Sequence, residues 1–262
     1  MALGSTKLKG AAILVVILVV IGGGVLLIRI PTGMEGVRVA VYNDRGAMPS
    51  SSTALLNMFR WMGADANYVN ATEIQQGVLD EYDMIVFPGG SSSDYSTQLG
   101  TAGRYAVVDF VARGGSYFGI CGGSVFGTDS YLHLFHGYAS GAVNGSGTKV
   151  IPMIVNTNSI GPDLSNGPAT YDVLYWNSGY FYSSNETYMS TVIPIILYTQ
   201  NNEPGMICCK YGNGTVFLSF PHPEYEENGA RDGTDDFSYY NDPDSEWPLL
   251  LKVSLWLVEA SK

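Results

Sequence analysis

Five residues near the middle of the chain, Gly119-Ile120-Cys121-Gly122-Gly123, force an abrupt change of direction. An apolar run from Ser116 to Ile120 leads into them and Ser124-Val125-Phe126 follows, so the segment reads as strand, tight turn and helix start. Side chains next to a residue held on such a turn collide with the adjoining strand and helix, which is why small residues must flank it. Cys121 at the turn presents its thiol to the first free N–H groups of the following helix, a setting that favours thiolate over thiol. A nucleophile of this kind needs a base, and Pro221-His222-Pro223-Glu224 offers one. In an extended segment His222 and Glu224 point the same way, so the carboxylate can hold the imidazole in one tautomer. Cys121 as nucleophile, His222 as base and Glu224 as orienting partner are the expected catalytic residues. Taken singly, a cysteine among glycines is an ordinary small core residue and His-Pro-Glu an ordinary loop; the two in this order favour the catalytic reading.

The same alternation of strand and helix runs through the first half of the domain. Val37 to Tyr42 is a β-branched strand, Asn43 to Ser52 a polar loop containing Pro49, and Thr53 to Met62 a helix closed by Gly63. A strand at 66–69, a short helix at 73–79 and a strand at 82–87 follow. That third strand runs into Pro88-Gly89-Gly90 and a serine-rich turn, then a helix from Leu99 to Ala112 leads to the strand that delivers Cys121. Such alternation predicts an α/β fold with a mainly parallel sheet, helices on both faces and right-handed crossovers. Ligand sites in these sheets lie beyond the carboxyl ends of the strands, where Asn43, Gly89, Gly90 and Cys121 would gather. The second half reads as short strands at 150–155, 169–175, 192–198, 205–211 and 214–220, with a hairpin at Gly212-Asn213-Gly214 and a closing helix over 248–259. At 262 residues this makes one domain.

Gly10 to Ile28 carries no charge and consists almost wholly of Ala, Ile, Leu, Val and Gly. Its length predicts a transmembrane helix. Lys7 and Lys9 ahead of it place the amino terminus in the cytoplasm and the rest outside. A cleaved leader would have a shorter apolar core and a small-residue cleavage site. The expected organisation is therefore a cytoplasmic stub and anchor over 1–30, a linker over 31–36 and a domain over 37–262, a single-pass extracytoplasmic protein. Asn-x-Ser/Thr triplets at Asn70, Asn144, Asn185 and Asn213 suit export. A net charge of −11 argues against nucleic acid as a partner. Three cysteines, Cys121, Cys208 and Cys209, make no disulfide framework and no zinc spacing, so no metal and no cofactor are expected.

Attack on a carbonyl creates an oxyanion, and the backbone N–H of Gly122 together with that of Gly89 or Gly90 would steady it. His133 and His136 are alternative bases or a metal pair, although satisfied surface histidines are commoner. The acidic stretch from Glu226 to Glu246 lacks calcium-loop spacing and reads as a solvated loop that borders the pocket and disfavours anions. The aromatic cluster Tyr171, Tyr175, Trp176, Tyr180, Phe181 and Tyr182 reads as core packing, with a ligand wall as the other possibility.

Val41-Tyr42-Asn43, Phe87-Pro88-Gly89-Gly90, the glycine-flanked Cys121 and the Pro221–Glu224 segment together resemble the amino-terminal domain family of biotin-protein ligases, a branch of the class I glutamine amidotransferase-like superfamily. The resemblance spans about Val37 to Tyr225. It implies a flavodoxin-like sandwich with Cys121, His222 and Glu224 in the roles assigned above. Working glutaminases of the superfamily carry a glutamine four residues past the nucleophile, where this chain has Val125. No biotin ligase catalytic domain and no ATP-using partner domain is recognisable. Two functions follow: a cysteine hydrolase or amidase acting on a small-molecule or peptide-like amide, or an inactive binding module on the same fold.

Overall fold

The computed structural model describes residues 16–21, 24–29, 33–158, 160–226, 230–240 and 244–261. Val16–Ile21 (β1) and Gly24–Arg29 (β2) pair antiparallel, Val16 opposite Arg29. These are the described parts of the segment expected to form a transmembrane helix, and they are strands. β-branched valine and isoleucine suit extended backbone. No helix among the described residues is long and apolar enough to cross a membrane.

The domain then runs through Arg38–Tyr42 (β3), Pro49–Trp61 (α1), Asp65–Val69 (β4), Ala71–Gln75 (α2), Met84–Phe87 (β5), Ser92–Ala112 (α3), Ser116–Ile120 (β6) and Gly122–Phe126 (α4). It continues with Tyr138–Ala139 (β7), Thr148–Val155 (β8), Thr170–Trp176 (β9), Phe181–Tyr182 (β10), Glu186–Met189 (α5), Ile193–Tyr198 (β11), Pro204–Tyr211 (β12), Gly214–Ser219 (β13) and Trp247–Ala260 (α6). Nine strands form one sheet in the order β4-β3-β5-β6-β13-β12-β11-β8-β9. The first five are parallel, as the alternation predicts. The last four pair antiparallel, because no long helix separates them and short connections cannot carry a chain back for a parallel partner.

Side chains alternate across the sheet and sort into two cores. Val39, Val41, Phe118, Ile120 and Phe217 pack with Leu55, Met58 and Phe59 of α1 and with Leu250, Val253 and Leu257 of α6. Ala40, Ile85, Phe87, Tyr117, Val216 and Leu218 face the other way, onto Leu99, Val107 and Val111 of α3 and Phe126 of α4. Helices thus cover both faces, a three-layer arrangement.

Two helices begin earlier than the pattern suggests. α1 starts a full turn sooner, at Pro49, because proline is well suited to a first helical position where its missing N–H is no loss. α3 opens at Ser92, capped by the Ser91 hydroxyl accepting from the Asp94 amide, and kinks at Gly100 (φ 57, ψ −167), so the expected serine-rich turn is a helical segment joined across the kink to the helix expected after Leu99. Two of the triplet asparagines, Asn70 and Asn185, also cap helices with their side chains.

Candidate functional site

β6 ends in the interior, and the chain leaves it through Cys121 at φ 49, ψ −110, a conformation that few side chains tolerate. The Cys121 amide donates to the Ser219 carbonyl at the end of β13 (2.7 Å), so the neighbouring parallel strand holds the strained residue. The flanking glycines are a steric requirement. A Cβ on Gly122 would lie 2.0 Å from the Gly90 carbonyl oxygen, and one on Gly123 would lie 2.1 Å from that of Phe87. The helix that follows, α4, has five residues. It is too short to polarise the thiol strongly, which corrects the weight given to its positive end.

Beyond β13 the chain crosses over the sheet, and the His222 amide donates to the Leu174 carbonyl of β9 (2.9 Å). His222 and Glu224 are wholly buried. Nδ1 of the imidazole meets Oε1 of Glu224 at 2.9 Å, as the extended spacing predicts. Burial opposes a charge on the ring, but the Glu224 carboxylate and the Cys121 thiol outweigh it and raise the His222 pKa to about 10. Nε2 nevertheless closes no hydrogen bond of regular geometry, a looseness common in resting sites.

Glu224 has partners that sequence reasoning missed. The Ser51 hydroxyl donates to its Oε1 (2.7 Å) and accepts from the Gly89 amide (2.8 Å), and the Trp247 indole donates to its backbone carbonyl (3.0 Å). Ser51 lies in the first turn of α1, within the stretch read as loop. The signal that could have found it is Pro49, a helix start that turns Ser50, Ser51 and Ser52 into first-turn residues.

Gly89 abuts the imidazole so closely that a Cβ would fall 2.8 Å from Cε1. Its N–H is committed to Ser51, which leaves Gly90, at φ 148, and Gly122 as the glycines with free amides at the rim. The Tyr95 hydroxyl clamps this turn by donating to the carbonyls of Pro88 and Gly89 (3.0 Å each). Asn43 stands exposed past the end of β3, its amide donating to the Val69 carbonyl. It does not line the cleft that opens over the thiol. That cleft, about 440 Å³, is walled by Met48, Gly90, Cys121, Trp176, Asn177 and Phe220.

Of the aromatic cluster, Tyr171, Tyr175 and Phe181 are core, while Trp176 is 37 % exposed and forms a cleft wall. The acidic stretch reaches the site through Phe237, which packs 5.7 Å from Trp176 and 4.9 Å from Tyr225. His133 and His136 are exposed, and both Nδ1 atoms approach Oδ1 of Asp129, at 3.1 and 3.4 Å. Among the described residues no group of three or more His, Cys, Asp or Glu has the placement to hold a metal ion. Cys208 and Cys209 are free and buried in β12. Burial pushes both thiols up, that of Cys209 to about 12.

Residues 37–133 match the family described as "Biotin-protein ligase, N terminal", a span that contains Cys121 and stops short of His222. A biotin–protein ligase of Schizosaccharomyces pombe is 27% identical over 220 residues, covering 74% of this chain. The match takes in 34% of that ligase, so this chain spans about a third of its length. An uncharacterized protein of Chlamydia muridarum is 26% identical over 228 residues, covering 72% of this chain and 80% of its own. Among solved structures, a glutamine amidotransferase of Thermotoga maritima superposes with a TM-score of 0.52 at 14% identity, covering 86% of this chain and 90% of that one. A putative GMP synthase component from Thermoplasma acidophilum gives 0.51 at 17%, covering 75% and 89%. At such identities these two likenesses speak for the fold.

Proposed function

We propose, from the premise that residues 37–133 belong to the biotin-protein ligase amino-terminal family within the class I glutamine amidotransferase-like superfamily, that the domain is a cysteine hydrolase of amides or related acyl compounds. The observation that carries this reading is a buried imidazole–carboxylate pair beside a thiol on a strained turn. Cys121 sulfur attacks the carbonyl carbon, a C–S bond forms, and the carbonyl electron pair moves onto oxygen. The N–H groups of Gly122 and Gly90 steady that oxyanion, each on the order of 3 kcal/mol. As the C–N bond breaks, His222 passes its proton to the leaving amine. Water then attacks the thioester, returns a proton to His222, and releases the carboxylic acid and the free thiolate. The raised His222 pKa suits this cycle, since a protonated ring at neutral pH can serve the leaving group at once. Glu224 keeps the ring oriented, and Ser51 keeps Glu224 oriented.

The inactive-module alternative rests on Val125, which offers no amide to a glutamine substrate. An electrophilic thiol reagent separates the two. In the hydrolase reading Cys121 is alkylated rapidly at neutral pH, and His222→Ala slows that labelling at least about tenfold. A labelling rate unaffected by His222→Ala favours the inactive module. Burial alone already protects Cys208 and Cys209, so the effect of the His222 variant matters more than the ratio among the three thiols.

The extracytoplasmic location is proposed on composition alone, from the uncharged run Gly10–Ile28 behind Lys7 and Lys9. Alkaline extraction and external protease on cells making the full chain test it: release by carbonate, or protection of the domain, removes the proposal.

A further inference from the structure

We propose that the cleft beside Cys121 selects an uncharged acyl chain ending in an apolar or aromatic group and excludes free glutamine. This deepens the hydrolase reading and rests on it. Three of the cleft's side chains, Met48, Trp176 and Phe220, are large and apolar, and none of those lining it is charged. Its volume of about 440 Å³ suits a small ligand. Trp176 lies 6.0 Å from the His222 ring on one side and 5.7 Å from Phe237 on the other, so a continuous aromatic wall leads away from the reacting thiol.

The charges nearby are already matched or repel an anion. His222 and Glu224 are bonded to each other, and Asp235 and Asp236 immediately precede Phe237 in a chain of net charge −11. The α-carboxylate of glutamine would meet indole, phenyl and thioether, and removing it from water without a partner is costly. Asn177, held at φ 48, accepts the Gly147 amide on its side-chain oxygen (2.6 Å). What it offers a ligand is its NH2 group, a donor suited to an uncharged amide or carbonyl oxygen.

Glutamine and 4-phenylbutyramide both release ammonia, so one assay compares them on the purified protein. We expect kcat/KM for 4-phenylbutyramide to exceed that for glutamine by about 100-fold or more, with both rates abolished by Cys121→Ala. Trp176→Ala lowers the 4-phenylbutyramide value about tenfold or more and narrows its ratio to the glutamine value. A pair of chloromethyl ketones, one phenyl-bearing and one with a glutamine-like head, reads the same preference by intact mass without turnover. Cys121-dependent hydrolysis or labelling that favours the glutamine-like probe overturns this inference and leaves the hydrolase reading standing. Preference for the phenyl probe without turnover keeps the selectivity and removes the hydrolase. Absence of both Cys121-dependent turnover and Cys121 labelling overturns both.

Discussion

The parallel and antiparallel halves of the central sheet contribute to the site in different ways. In the parallel half, strands β3, β5 and β6 all end at one rim, where glycine turns let backbones approach within a Cβ's breadth and where the nucleophile sits. In the antiparallel half the ladder continues without such convergence, and its contribution is a wall, Trp176 at the end of β9. β13 is the seam, parallel to β6 and antiparallel to β12, and the base lies just past its end. The difference teaches that reactivity and selectivity come from separate parts of one sheet, joined where the pairing changes sense.

The base at the seam and a buried cysteine of the antiparallel half offer the sharpest contrast. His222→Ala should cut Cys121-dependent hydrolysis by about a thousandfold or more, since the residues of a triad act as a unit. Cys208→Ala in β12 should leave hydrolysis unchanged and lower stability by about 1 kcal/mol, read by urea unfolding. Equal activity losses in the two variants would break the division between halves.

The crowding at the rim predicts the next largest effect. Gly122→Ala drives a methyl into the Gly90 carbonyl and should cost at least about 2 kcal/mol in the same assay. Gly141→Ala, with nothing within 4 Å of its would-be Cβ, should change stability by no more than about 0.5 kcal/mol. Ser51→Ala should lower kcat about tenfold with little change in KM and shift the pH–rate profile, because it loosens the carboxylate without touching substrate. Ser51→Thr should restore part of the loss; an unchanged pH profile would reduce Ser51 to a packing residue.

The pH dependence of stability tests the seam alone. Native His222 keeps its proton up to about pH 10, whereas the unfolded ring loses it near 6.5. The stabilisation it confers is complete below pH 6.5 and declines as pH rises toward 10. Between pH 6.5 and about 8.5, below the range where unfolded thiols titrate, stability should fall by at most about 1.4 kcal/mol per pH unit. His222→Gln should flatten that slope; an identical slope in the variant would place the proton elsewhere.

Much of the fold was legible because it is encoded locally. Continuous apolar strand runs, the glycine closing α1 and the elbow at Cys121 each depend on neighbours within a few residues, so composition and turn chemistry reveal them. The helical segments opening at Pro49 and Ser92 begin in serine-rich stretches whose hydroxyls suit caps and turns equally well. That ambiguity hid Ser51. At 16–21 and 24–29 the composition points both ways, since hydrophobicity favours a helix while β-branched residues favour the paired strands found there.

The amino-acid sequence on its own determined the strained cysteine, the His-x-Glu pair and the order of strands and helices, because spacing along the chain sets those directions. Only the tertiary structure decided that Ser51 bonds Glu224 from 173 residues away, that Gly90 keeps a free amide while Gly89 does not, and that Trp176 lines one cleft with Cys121. These are contacts between segments remote in sequence. The packing of the sheet against its helices sets their distances, and no local pattern encodes that packing.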